Sequence, residues 1–282
     1  MTKTGGYYKK RRGRLLIGGI VMIVFALVFL APLFLVLMNS FKTQTEYMLS
    51  IVSFPSSFNL ENYRHILAEI DYLRVYRNSI AIEVMSMAGI ILVSSMAASK
   101  VARVIGKFNS VVYYLMLLTM VIPFQARMLP LMSVVGTMRL SNSLFGMSLL
   151  HIATLSPPVF FYYVGAMKSV PVELEEAARI DGAGHFYTYF RIILPLLMPM
   201  TMTICVLFGL VVWNSFLFPM LILTNPSMHT IPLVIFRFFG TYQVQWTALF
   251  ANIVVGSAPI FLVFLALQKY VVSGVTAGGV KG

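Results

Sequence analysis

Long apolar runs, each near the roughly 20 residues a helix needs to cross a bilayer, alternate along this chain with short polar segments. The first run, Leu15 to Met38, follows the basic stretch Lys9-Lys10-Arg11-Arg12-Gly13-Arg14. A cleaved signal peptide also starts basic, but its apolar core is only about 7–15 residues long. This run is longer and lacks a small-x-small cleavage site, so it reads as a retained first helix. Residues 39–77 are polar and mixed, with Phe54-Pro55 and Asn62-Tyr63 suggesting turns and short helices. Further runs are Ile80 to Ala98, Val111 to Met132 (interrupted by Pro123 and Pro130), Leu144 to Val164 (carrying Pro157-Pro158), Leu196 to Leu223, and Ala248 to Val271. The pattern predicts an all-α, polytopic membrane protein with about six transmembrane helices. Its parts are a basic N-terminus (1–14), a first transmembrane helix (15–38), a loop with short helices (39–77), a core of the remaining spans (78–272) and a Gly-rich tail (273–282).

Composition agrees. Hydrophobic residues make up 59% and charged residues 11% of the 282, against roughly 25% charged in soluble domains. Too little polar surface exists to cover a globule in water. The net charge of +12 could suggest nucleic acid, but the bases are scattered over loop ends, as membrane topology demands. Six Lys/Arg and no acid precede Leu15 (Lys3, Lys9, Lys10, Arg11, Arg12 and Arg14), and Lys100, Arg103 and Lys107 follow the second run. Residues 39–75 instead balance Lys42, Arg64 and Arg74 against Glu46, Glu61, Glu69 and Asp71. Basic short loops stay in the cytoplasm. Both termini and the polar insert after the fourth run are therefore expected inside, with the 39–77 loop outside. The lone Cys205 excludes an intrachain disulfide.

The insert, PVELEEAARIDGAGHFYTYFRIILPLLMP over 171–199, breaks the apolar rhythm. Pro171 suits a first helical position, and Glu173, Glu175 and Glu176 favour the positive end of the helix dipole. Ala177 and Ala178 form helix with little bulk. Gly182 and Gly184 stop the helix, since glycine accepts a left-handed turn. A second short helix starts at His185 and leads to Pro195. As a DNA-binding helix–turn–helix it would be poor, because its second helix is too apolar. A plain amphipathic interfacial helix remains the other physical reading.

The spacing Glu176-Ala177-Ala178, three residues, Gly182, nine residues, Ile192, one residue, Leu194-Pro195 resembles the cytoplasmic EAA loop of importer-type ABC permeases, here at about 169–195. Ser40-Phe41-Lys42, Phe54-Pro55, Asn62-Tyr63, Asn78-Ser79, the broken third run, Trp213-Asn214-x-Phe216-Leu217-x-Pro219 and the tail Gly274 to Gly282 extend the likeness to the carbohydrate (maltose-permease second-subunit) group. Arg127 departs from it, placing a charge where that family is apolar. The resemblance implies the fold of a type I ABC importer permease with a cytoplasmic coupling helix, working by alternating access. Its implied partners are a second homologous permease subunit, two ATPase subunits, an extracytoplasmic solute-binding protein and the lipid bilayer, with no nucleic acid. Glu175, Glu176, Ala177, Ala178, Asp181 and Gly182 would form the ATPase-docking loop. ATP and Mg would be bound by the partner ATPase, and no cofactor or metal by this chain. The substrate class would be a sugar or oligosaccharide, or another polar solute such as a glycerol phosphate.

No G-x-x-x-x-G-K-[ST], G-x-S-x-G or H-E-x-x-H occurs, so nothing marks an enzyme. His151, in an apolar run, reads as an interhelical hydrogen-bonding group. Polar residues inside spans usually face a bundle interior or a pathway. Trp213, Asn214, Gln125 and Asn252 are the pathway candidates, Trp213 being equally readable as a packing or interface anchor. Glu83 and Arg127, at similar expected depth, suggest an ion pair, or two separate pathway groups. A secondary transporter would carry acidic relays or internal repeats. Glu83 is the one clear intramembrane acid and no repeat is visible. A non-transporting scaffold is the remaining alternative.

Overall fold

The computed structural model describes residues 4–104, 106–239 and 244–279, with backbone alone at 4–16, 263–264 and 266–279. Among these residues the regular structure is entirely helical. The first apolar run is α1 (Thr4–Asn39); α2 (Gln44–Leu49) and α3 (Glu61–Glu69) lie in the polar segment; α4 (Tyr72–Arg103) is the second run. The third divides into α5 (Lys107–Val121) and α6 (Phe124–Thr137), and the fourth is α7 (Leu144–Met167). The insert comprises α8 (Val172–Ile180), α9 (His185–Thr188), a π-helical turn (Tyr189–Ile193) and α10 (Leu194–Leu196). The fifth run is α11 (Met198–Trp213) and α12 (Leu217–Ile222), followed by α13 (Ile231–Arg237) and α14 (Trp246–Gly279). The segment expected as a tail is thus helical to Gly279. The expectations for Lys3 and for Val280 to Gly282 lie outside the described residues, as do the side chains of Lys9 to Arg14.

Among the described residues, Ile17–Asn39, Tyr72–Arg103 and Leu144–Met167 are long and apolar enough to cross a membrane unbroken. Two bent helix pairs would each make a further crossing if taken as one broken span. Lys107–Val121 and Phe124–Thr137 meet at 110°, and His185–Leu196 and Met198–Trp213 at 71°. The first bend is chemical. Pro123 lacks an N–H and pushes the preceding residue out of the α region, and Ile122 sits at φ −72°, ψ 120°. Pro130, expected to interrupt as well, is carried inside α6. Pro157 and Pro158 are likewise carried inside α7, where Ser94 Oγ donates to the Ser156 carbonyl at 3.1 Å.

The chain forms two compact units, residues 1–70 with 235–258 and residues 71–234 with 259–282. In the larger, α4 lies along α7 through small and hydroxyl residues, the usual chemistry of close helix packing in lipid. Ser148 Oγ donates to Ile82 O (3.4 Å), and Ser86 Oγ pairs with His151 Nδ1 (3.3 Å). Ile82, Ile90, Val159, Phe160, Tyr163 and Ile204 are buried together around this seam. In the smaller unit, polar residues join the end of α1 to α3 and α14. Ser40 Oγ pairs with the Tyr63 hydroxyl (2.7 Å), and the Asn62 amide donates to Ser40 O (2.9 Å) and Lys42 O (2.8 Å) while accepting from Thr247 Oγ1 (3.0 Å). Lys42 is fully buried, its Nζ donating to Ser50 O (2.9 Å) and Ile51 O (3.2 Å). Burial pushes its ammonium pKa below the usual lysine value, partly offset by Glu46.

Glycines separate the tight helix approaches from the open ones. A methyl group at Gly146 would lie 2.8 Å from Leu140 Cβ and collide with the Leu140 backbone carbonyl, whereas one at Gly165 meets nothing within 4 Å. Gly146→Ala is therefore predicted to destabilise the purified protein by about 1–3 kcal/mol through overpacking. Gly165→Ala, in the same helix, should be neutral or slightly stabilising. Thermal unfolding in detergent compares them; equal melting temperatures would contradict the packing described for the start of α7.

Candidate functional site

The polar insert is built as a helix presented on one face and anchored on the other. Glu173 and Glu175 lie in the first turn of α8 and Arg179 in its last, each favourable to the helix dipole. The helix ends in a glycine-centred turn. Gly182 N–H donates to Arg179 O (3.0 Å) and Ala183 N–H to Ala178 O (2.9 Å), with Gly182 at φ +80°. This paired pattern uses glycine because a Cβ disfavours the left-handed region. Gly184, expected to act the same way, has φ −72° and needs no such freedom.

Six residues were expected to form the docking loop, and they differ in exposure. Glu176, Ala177, Asp181 and Gly182 are exposed. Ala178 and Glu175 turn inward, Glu175 being only 7% exposed. Its carboxylate accepts from Arg103 Nε of α4 at 2.8 Å, and Arg103 Nη2 also donates to Val170 O at 2.5 Å. Glu175 therefore anchors the loop instead of facing outward, because a carboxylate buried at a helix junction must be paired. Sequence reasoning could have raised Arg103 as its partner only through the third dimension, since 72 residues separate them. The second arm is anchored too, where the buried Tyr189 hydroxyl meets Ser95 Oγ of α4 at 2.6 Å. Between anchor points lies a groove of about 270 Å³, lined by Lys100, Arg103, Glu175, Arg179, His185 and Tyr189 among others. Apolar side chains stay open as well: Ile180 is 85% exposed, and Phe186, which lines the groove, is 71% exposed.

Inside the spans, Phe124 at the start of α6 packs edge-on against Phe218 of α12 (5.1 Å between ring centres), and His151 of α7 lies 6.3 Å from the same ring. The breaks in the third and fifth runs thus meet beside α7. Gln125 is exposed next to this junction and Trp213 is half-buried at the end of α11. Asn214 is exposed, but its amide donates back to Leu210 O (2.8 Å), closing its own helix end. Asn252 is buried in the other unit.

The expected pairing of Glu83 with Arg127 does not occur. Arg127 Nη1 instead donates to Thr119 O of α5 at 3.0 Å, placing a cation on the carbonyl end of the broken helix. Glu83 faces α11, where a methyl group on Gly209 would stand 2.8 Å from its Oε1, and its Oε2 is buried with no hydrogen-bond partner. The Asn78-Ser79 pair proves structural. The Asn78 amide donates to Ser227 O (2.9 Å) and His229 O (3.1 Å), and Ser79 Oγ accepts from Ile231 N–H (3.0 Å). A latch that sequence reading missed lies at Asn142, held at φ +52°, whose side-chain Oδ1 accepts from Asn225 N–H (2.8 Å) and Thr224 Oγ1 (3.1 Å).

Comparison with known proteins gives consistent matches. Residues 89–277 match the family described as binding-protein-dependent transport system inner membrane component. The chain is 36% identical to the "Probable starch degradation products transport system permease protein AmyC" of Thermoanaerobacterium thermosulfurigenes, over 92% of this chain and 94% of that protein. It is 35% identical to the "Multiple sugar-binding transport system permease protein MsmG" of Streptococcus mutans, over 95% of each. A chain from the crystal structure of a bacterial ABC transporter involved in the import of the acidic polysaccharide alginate shares the fold, with a TM-score of 0.80 at 20% identity, over 93% of this chain and 97% of that one.

The intramembrane geometry generates a pair of double-mutant cycles. Glu83→Gln and Arg127→Gln should lose stability additively, with an interaction energy below about 0.5 kcal/mol, as for residues sharing no partner. Gly209→Ala and Glu83→Ala should instead couple, the second relieving the crowding caused by the first. Unfolding of the single and double variants in detergent measures both. A large Glu83–Arg127 term would restore the ion pair, and an additive Gly209–Glu83 result would displace Glu83 from α11.

Proposed function

The chain belongs to the family of binding-protein-dependent transport system inner membrane components, and we propose that it is the membrane-spanning, non-catalytic subunit of an ATP-driven sugar or oligosaccharide importer. The observation that carries the docking role is the two-sided loop. α8 is anchored inward by Glu175 and Ala178 while Glu176, Ala177, Ile180 and Asp181 stand in the open. A bare helix face of small and apolar residues with an acidic rim suits a groove on a partner protein. That partner is an ATPase subunit, as the likeness of residues 176–195 to the EAA loop of importer-type ABC permeases implies. Two such ATPases, a second permease subunit and a solute-binding protein complete the assembly. ATP and Mg bind on the ATPases, whose closure draws the docking loops together and opens the central cavity outward.

The sugar assignment rests on the names of the relatives, which transport starch degradation products and multiple sugars, and on an aromatic and amide set at the helix breaks. Sugar C–H faces stack on rings and their hydroxyls require hydrogen bonds. The pathway candidates are Gln125, Trp213 and Asn214 near the Phe124–Phe218 contact, with Asn252 on α14. Both termini and α8 lie in the cytoplasm by the distribution of Lys and Arg.

Two outcomes are expected. Gly182→Val forces a β-branched residue into a left-handed turn, at a cost above the ~1–2 kcal/mol typical of a Cβ there, and Glu176→Lys reverses an exposed charge. Each should reduce copurification of the ATPase and substrate-stimulated hydrolysis while the chain still inserts; normal coupling in both would remove the docking assignment. In a Cys205→Ser background, a thiol reagent that cannot cross the membrane should reach Ser57→Cys from outside and Ala183→Cys only from the cytoplasmic side. The opposite labelling would overturn the orientation and with it the ATPase role.

A further inference from the structure

We propose that Arg103 is the positioning residue that makes α8 and the membrane-spanning α4 move as one body, so that displacement of the docking helix enters the core; this rests on the docking role proposed above. The inference begins with where the charges sit. Arg103 is in the last turn of α4 and Glu175 in the first turn of α8. Each charge therefore suits its own helix end as well as its partner. Their side chains are 16% and 9% exposed, so the pair is largely out of water.

Two acceptors, not one, define the geometry. Nε reaches Glu175 Oε1 at 2.8 Å, and Nη2 reaches Val170 O at 2.5 Å. The planar guanidinium holds its donors in a rigid fork. One acceptor lies on α8 and the other on the short link from α7, so the contact fixes the rotation of α8 as well as its distance. A lysine could offer only a point charge. The loop's other arm meets the same helix at Ser95, through Tyr189, at 2.6 Å. Ser95 and Arg103 are eight residues apart, about 12 Å along the axis. α4 is thus gripped at two heights, and above the grip it runs against α7 through Ser94, Ser86 and Ile82. A push on the exposed face of α8 has no compliant joint through which to dissipate before it reaches that seam.

A purely structural ion pair would matter for folding and for nothing else, so the test reads relative motion. Spin labels at Glu173→Cys on α8 and Val84→Cys on α4, both exposed, are introduced in a Cys205→Ser background, in the complex with the copurifying ATPase. With Arg103 present, a single narrow distance is expected, unchanged between the nucleotide-free and ATP–vanadate states. Arg103→Gln and Glu175→Gln should broaden the distance and make it shift with nucleotide while ATP hydrolysis persists. Arg103→Lys, which keeps the charge and loses the fork, should fall between, and it carries the test if the neutral variants fail to fold. A narrow, nucleotide-independent distance in Arg103→Gln, or in Arg103→Lys where that variant carries the test, overturns the proposal. If no ATPase copurifies with the unmodified chain, the docking role fails instead, and the width of the distance in the isolated chain still decides whether Arg103 fixes α8.

Discussion

A hydrocarbon solvent offers no hydrogen bonds, so every backbone group freed by a helix break must find a partner within the protein. Much of this structure answers that constraint. The third run bends by 110° between α5 and α6, the insert meets α11 at 71°, and several helix ends are met by a nearby side chain. Arg127 covers Thr119 O, Asn214 covers Leu210 O, Asn109 covers Val104 O at 2.6 Å, and Ser94 covers Ser156 O beside the proline pair. The breaks are what bring Phe124 of α6 and Phe218 of α12 together next to His151. A chain of straight helices would place lipid-like side chains there. The same constraint explains why so few polar residues within the spans are free: most are already committed to backbone.

At the polar insert the constraint relaxes, and the distribution of bonded and unbonded surface inverts. The inner face of the loop is closed by Arg103, Glu175, Ser95 and Tyr189, while its outer face shows Ile180 with nothing over it. Exposed apolar patches on a rim of charge mark interaction sites. In α1 and α5 exposed apolar side chains need no such reading, since lipid covers them. On α8, flanked by Glu173, Glu176 and Asp181, lipid is a poor match and a protein partner a good one. The contrast separates the proposed docking face from the rest of an apolar surface.

How much of this was legible in the residues depends on the range of the interaction. Local chemistry was: the apolar runs, the break at Pro123, the α8 helix with its acidic start, and the left-handed turn at Gly182 all follow from neighbours within a few positions. Pro130 and Gly184 were over-read, because a proline or glycine permits a break or turn without requiring one. Interactions across the fold were not legible. Glu175 is indistinguishable in sequence from Glu176, one residue on, yet one is buried against Arg103 and the other is exposed, the helical rotation of about 100° per residue deciding between them. Glu83 and Arg127 shared an expected depth, but depth fixes only one coordinate of three. Their faces differ, and each found a nearer neighbour, Gly209 and Thr119. The short pieces Ser40-Phe41-Lys42, Asn62-Tyr63 and Asn78-Ser79 resembled a family pattern without an evident reason. Their reason is structural: each supplies side chains or carbonyls to the hydrogen bonds that join helix ends.

The Arg103–Glu175 pair poses the question of why a charge pair stands where an apolar contact would serve. Replacing a buried ion pair by well-packed apolar groups is often neutral or stabilising, so stability alone does not account for it. Two features of the junction do. The C-terminal end of α4 carries unsatisfied carbonyls and a negative dipole end, and the N-terminal turn of α8 carries the opposite; an apolar plug would leave both uncompensated. The link before α8 also presents Val170 O, buried and in need of a donor. A single guanidinium meets the carboxylate and that carbonyl at once. Apolar packing is tolerant of sliding and rotation, whereas a forked, charge-assisted contact has one geometry. At a joint between a helix that receives force and a helix embedded in the core, a contact with one geometry transmits displacement and a tolerant one absorbs it.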